Sequence, residues 1–210
     1  LLALSFVLCG VTAVGFVETH LVALLQARGV ERGTAAWAFG VMMGCNGAGL
    51  VLIGFLADQV SRSALLAAIF GVRTGAFILL LHSGVSVPLA FLFAAWMGVV
   101  DYGVVPPTVG LVAARAGEKQ VGLGTGILLA LHSGGAAAAA VAAGTAYDEY
   151  GNYKLPIAVG AALCAVAALS AAMVDERPLL RRTHRAADHH FGDNDPRKVD
   201  LQADERVCSI

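Results

Sequence analysis

From Gly33 to Ala57 no residue carries a charge, and from Ser63 to Val100 only Arg73 does. About 20 apolar residues are enough for a helix to cross a bilayer, and runs this long exceed an ordinary soluble core helix. Between them lies a short polar connector, Gly54-Phe55-Leu56-Ala57-Asp58-Gln59-Val60-Ser61-Arg62, with the composition of a tight turn at a membrane surface. The pattern holds along the chain, which is 58% hydrophobic and only 14% charged, against about 25% charged in soluble domains. About half of the charges follow Val174. Segregation of this kind indicates a polytopic, all-α membrane protein, and the net charge of −1 gives no basis for a nucleic-acid partner.

The sequence predicts six spans, at residues 1–26, 35–57, 64–81, 87–113, 121–146 and 155–174, forming one transmembrane domain over 1–174. Polar loops are expected at 28–34, 82–86, 115–120 and from Tyr147 to Lys154, and 175–210 reads as a polar, disordered tail. In the second span Gly40, Gly44, Gly47 and Gly49 have the spacing that lets helix backbones approach, and Gly71 and Gly75 form a GxxxG pair in the third. Pro106 and Pro107 fall inside the fourth span, where they remove backbone donors and should kink or break the helix, exposing carbonyls. In the connector, Gly54 allows two helix ends to come close, Asp58 suits the free amides of the next helix, and Arg62 favours a cytoplasmic position.

Basic residues set the expected orientation. With the connector inside, that side holds Arg62, Arg115, Lys119, Arg177, Arg181, Arg182 and Arg185, and the other only Arg28, Arg32 and Lys154. Connector 58–63 and the tail are therefore expected in the cytoplasm. The chain starts at Leu1, already within an apolar run and with no recognisable signal peptide, and reads as incomplete. Cys9, Cys45 and Cys164 read as small core hydrophobes, and Cys208 is misplaced for prenylation. His184, His189 and His190 lack an ordered scaffold, so they read as part of a solvated tail rather than a metal site. No cofactor motif occurs.

Several stretches resemble the major facilitator superfamily. The connector resembles its loop signature G-x-L-A-D-x-x-G-R-[KR] at Gly54, Leu56, Ala57, Asp58 and Arg62, with Ser61 and Ser63 as departures. Thr19-His20-Leu21 with Leu24-Leu25, Val105-Pro106-Pro107-Thr108, Leu131-His132-Ser133 and the Tyr147–Tyr153 segment resemble, in order, parts of the seventh, tenth and eleventh helices and the approach to the twelfth in monocarboxylate-porter-like members. The resemblance covers about residues 1–178. It implies one half of a twelve-helix fold, the C-terminal six helices, with the N-terminal half or a second copy as partner. It also implies alternating-access transport of a small organic solute such as a monocarboxylate, and a gating role for Gly54, Asp58 and Arg62.

Arg73 and Asp101 each cost about 2.5–3.5 kcal/mol at mid-bilayer. They should form an ion pair or line the path, Arg73 attracting an anion or the pair only fixing helix packing. Glu18 and His20, two residues apart, cannot share a helix face well. His20 can couple proton movement to transport or act as a hydrogen-bonded packing histidine, and both readings stand. Glu18 and His132, inside apolar spans, are further candidates for the substrate or ion path, with packing the favoured reading for His132. An intramembrane protease is disfavoured because His132 and Ser133 are adjacent and diverge, and H-E-x-x-H is absent. A non-transporting scaffold or transporter remnant is the alternative.

Overall fold

With no water to satisfy backbone groups inside a bilayer, an apolar chain must bond its own peptides, and helices do so segment by segment. The computed structural model describes residues 1–82 and 86–175. It contains six helices long and apolar enough to span a membrane: α1 (Leu2–Ala27), α2 (Arg32–Ala57), α3 (Arg62–His82), α4 (Val87–Ala116), α5 (Val121–Tyr150) and α6 (Lys154–Ala172). No strand occurs among the described residues. The chain divides after Val174 into two units, the first of which, Leu1–Val174, holds all six helices. The expectations for the tail, including its histidines and Cys208, concern 176–210, outside the described residues.

Local chemistry explains where the helices stop. Gly29, at φ 87°, follows α1, while the amide of Val30 bonds back to the Leu25 carbonyl at 3.0 Å. This closes the helix end with a left-handed glycine. α2 begins at Arg32 rather than Ala35, because the Glu31 carboxylate accepts from the amides of Gly33 (3.1 Å) and Thr34 (3.3 Å). Those bonds, with one from the Thr34 hydroxyl, hold the Glu31 carboxyl below its usual range. A depressed carboxyl adds stability above the ordinary glutamate pKa and loses it as pH falls through the lowered value. Protection of the Gly33 and Thr34 amides, relative to their intrinsic exchange rates, is therefore expected to fall in acid, and Glu31→Ala to lower it at neutral pH but to change it little once the carboxyl is protonated.

Three sequence expectations need correction. The segment from Tyr147 is not a loop up to Lys154. α5 runs on to Tyr150 and ends at Gly151, at φ 67°, while the Tyr147 ring stacks on Tyr153 with centroids 4.5 Å apart. Ser61 rather than Asp58 serves the start of α3, its Oγ accepting from the Ala64 amide at 3.3 Å; Asp58 closes the end of α2. Of the glycines whose spacing suggested close helix approaches, Gly49 makes one and the others do not. A side chain at Gly40, Gly44, Gly47, Gly54 or Gly71 would meet nothing within 4 Å, and at Gly75 only the Trp96 ring at 3.7 Å.

The tight crossings are α2 on α4 and α1 on α5. A Cβ at Gly49 would overlap the Val99 carbonyl, and one at Gly98 the Met42 carbonyl. Gly10 and Gly15 lie equally close to the carbonyls of His132 and Ala136. α3 packs along α6, and α1 also touches α6. Two apolar cores result. One, towards the α1–α2 turn, includes Phe16, Leu24, Phe77, Phe93 and Ile157. The other, towards the connector, includes Phe6, Ile53, Phe70, Leu111 and Ala171. α2 and α5 are the least buried helices, with 22% and 11% of their most apolar windows covered.

Candidate functional site

The site begins with the prolines of α4. Pro106 and Pro107 have no N–H to offer the preceding turn. Tyr102–Val104 is wound as a 3-10 turn, with the Val105 amide bonding Tyr102 O, and regular helix resumes at Val105. The prolines thus occupy the first turn of the new segment, where a missing donor costs little. The carbonyls of Val100 and Asp101 lie at the start of this 3-10 turn, where the regular bond pattern of the helix changes.

Arg73 of α3 takes up those carbonyls. Its Nη2 donates to Val100 O at 2.9 Å, to Asp101 O, and to Asp101 Oδ1 at 3.2 Å. Nη1 donates to Cys9 Sγ at 3.1 Å, and the guanidinium carbon lies 5.4 Å from the centre of the Phe70 ring. Both members of the Arg73–Asp101 ion pair are buried, at 0% and 1% exposure. On the other side of the break, Asn46 Oδ1 of α2 accepts from the Tyr102 amide at 2.8 Å. Side chains from α2 and α3 therefore satisfy the interrupted backbone.

Glu18 arrives from α1, which is wound as a π-helix over Ala13–Glu18. Such wide turns concentrate at functional positions. The Glu18 carboxyl comes within hydrogen-bonding reach of Asp101 and of the Tyr102 hydroxyl. Oε1 of Glu18 and Oδ2 of Asp101 are buried and have no protein hydrogen-bond donor. His132 of α5 lies near enough to interact electrostatically with Arg73 and Asp101, its ring 5.0 Å from Phe6.

Of the residues singled out in the sequence, Glu18, Arg73, Asp101 and His132 come together at the α4 break. His20 lies apart. Its Nε2 is 2.9 Å from Ala140 O, and its Nδ1 is 3.3 Å from the Tyr153 hydroxyl. Burial raises the Tyr153 phenol above its ordinary value, so the hydroxyl keeps its proton and can donate to Nδ1. A neutral imidazole donating from Nε2 is then satisfied at both nitrogens. His20→Gln separates the two readings: an unmoved pH profile of transport is the result expected of a packing histidine, and a displaced one that of a proton carrier.

Asn46, Tyr102 and Cys9 are the members that sequence reasoning missed. Gly54, Asp58 and Arg62, for which the resemblance implied gating, sit at the connector between α2 and α3. Arg62 lies across α4, where a Cβ at Gly110 would come 2.7 Å from its Nε. An apolar cavity of about 230 Å³ between α1, α5 and α6, lined by Val11, Phe16, Ala143 and Leu163 among others, is separate from the polar cluster. Among the described residues no group of three or more His, Cys, Asp or Glu side chains is placed to hold a metal ion.

Six apolar helices around a buried polar break define an integral, multi-pass membrane protein of the transporter class, set in a lipid bilayer. Residues 1–199 match the sequence profile of the Major Facilitator Superfamily, and the chain belongs to that family. It serves transmembrane transport of a solute. No curated protein matches it.

Proposed function

We propose that this chain builds one wall of an alternating-access path for a small organic solute of the monocarboxylate class, moved together with a proton. The buried Arg73–Asp101 pair at the α4 break carries the reading. Charges this costly inside a bilayer persist where they serve a pathway or fix its wall. The solute class rests on the resemblance of Thr19–Leu21 and Val105–Thr108 to monocarboxylate-porter-like members. Arg73 reaches no surface of the unit, so its part in this reading is to hold the break in shape, not to clamp an anion. Glu18 and Tyr102, the latter 42% exposed, are the side chains placed towards the path.

The opposite wall is a second six-helix bundle, either an N-terminal half or a second copy. Its support is the open small-residue strip of Gly40, Gly44 and Gly47 on α2, and of Gly122, Gly126 and Gly134 on α5. Small residues favour close helix contact in lipid, whereas the exposed strip of α6 carries Leu155, Val159, Val166 and Leu169, as expected of a lipid-facing surface. The connector and tail lie in the cytoplasm in this reading. Gln59→Cys and Gly29→Cys should then label from opposite sides with an impermeant thiol reagent.

The deciding experiment is uptake of radiolabelled lactate, pyruvate and acetate into proteoliposomes under an inward proton gradient. Saturable, gradient-driven uptake of one of them supports the proposal. A folded, inserted chain that moves none of them by itself excludes a path made by two copies for these solutes; if it still moves none when co-reconstituted with an N-terminal six-helix half, it is a scaffold or a transporter of another solute class. Uptake at the wild-type rate in both Arg73→Ala and Arg73→Lys would rule out an anion clamp.

A further inference from the structure

We propose that Glu18 and Asp101 form a single proton-binding site, one proton shared between their carboxyl groups with Arg73 as the fixed counter-charge. The inference rests on the proposed transport only for the use made of the proton; its residence is a property of the unit itself.

The first argument is hydrogen bonding. Asp101 Oδ1 is engaged by Arg73, while Asp101 Oδ2 and Glu18 Oε1 are buried without a donor. Two ionised carboxylates only accept, so neither can satisfy the other. A proton on one of them supplies the missing donor, and a buried orphan becomes half of a short charge-assisted bond.

The second argument is charge. With both carboxyls ionised, the pair and Arg73 sum to −1; with one shared proton they sum to zero. In a low-dielectric interior, close like charges and net buried charge are both penalised, so a carboxyl dyad beside one cation holds a proton. The other titratable groups facing the site are the Cys9 and Cys164 thiols, the Tyr102 hydroxyl and the His132 imidazole. Neutral thiols, phenol and imidazole leave the sum at zero, and Asn46 adds no charge. A sodium ion is the competing occupant. Two carboxyl groups beside a guanidinium form a poor cage for it, since hard cations take six or more oxygens and Arg73 repels them.

The third argument is access. Asp101 is 1% exposed, whereas Glu18 is half-buried beside the part-exposed Tyr102. Glu18 is therefore the member that exchanges the proton with the path, and Asp101 the one that anchors it to Arg73. The π turn ending at Glu18 is what carries this side chain towards α4.

Infrared spectroscopy of the full chain in lipid nanodiscs, titrated with pH and without any solute, tests the site. The wild type is expected to show a protonated-carboxyl band at neutral pH that disappears in alkali. Glu18→Gln and Asp101→Asn should each abolish it, because either leaves one carboxylate beside Arg73 with no proton to share. Glu18→Asp should restore it with a displaced titration. If Asp101→Asn does not fold, Glu18→Gln decides alone, since Glu18 makes none of the Arg73 bonds. The proposal is overturned if the wild type lacks the band, if the band survives in Glu18→Gln, or if sodium removes it at constant pH. The spectra need no transported solute, so a failed uptake assay leaves this result standing, and a missing band leaves solute transport standing.

Discussion

Arg73→Leu is expected to destabilise the helical unit by about 3–5 kcal/mol, the range for removing one partner of a buried ion pair. Asp101 would be left charged and buried, and the carbonyls of Val100 and Asp101 would lose the guanidinium as a donor as well. Asp101→Leu should cost less, because the guanidinium keeps Val100 O, Asp101 O and Cys9 Sγ. The double substitution should cost less than Arg73→Leu alone, since the unpaired carboxylate is gone while the carbonyl loss is unchanged. Equilibrium unfolding in mixed micelles measures all three, and strict additivity would show that the two side chains are not coupled. Acid should shrink the Arg73→Leu penalty, because protonation neutralises the carboxyl left behind. An anion clamp would show a different pattern, with lost uptake and little lost stability.

The same cluster shows what can and cannot be read from the chain. The spans were legible because their apolar length has few other physical solutions. Arg73 and Asp101 were legible as residues because a charge inside such a run is costly wherever it points. Asn46, Cys9 and Tyr102 were not, since a small or amphipathic polar residue in an apolar run is cheap, and nothing in its neighbours shows that it meets the α4 break. The prolines marked the break, but the turn that yields lies just ahead of them, because a proline disturbs the residues before it.

Boundaries failed for a related reason. The polarity of Tyr147-Asp148-Glu149-Tyr150 suggested a loop, yet polarity marks only where a helix leaves the apolar layer. The helix itself ends where Gly151 can turn left-handed and Tyr153 can stack on Tyr147. Glu31 likewise starts α2 earlier than hydropathy suggests, by capping amides that an apolar scan does not see.

Glycine spacing was a weak signal, since of the spaced glycines Gly49 alone has backbone of another helix against it, and that position carries the second large prediction. Gly49→Val should destabilise by about 1–3 kcal/mol, the cost of overpacking a close contact. Its Cβ would fall on the Val99 carbonyl, which is backbone and cannot swing aside. α2 must then move off α4, and Asn46, three residues before Gly49, would be drawn away from the Tyr102 amide that it holds at 2.8 Å. Loss of stability and loss of transport should therefore appear together. Gly44→Val is the matched control on the same helix, with open space at that position, and should change stability by no more than about 0.5 kcal/mol. Its effect on transport separates two surroundings for that strip. If lipid covers Gly44, uptake is unchanged; if a second bundle packs there, uptake falls while the melting curve of the isolated unit stays in place.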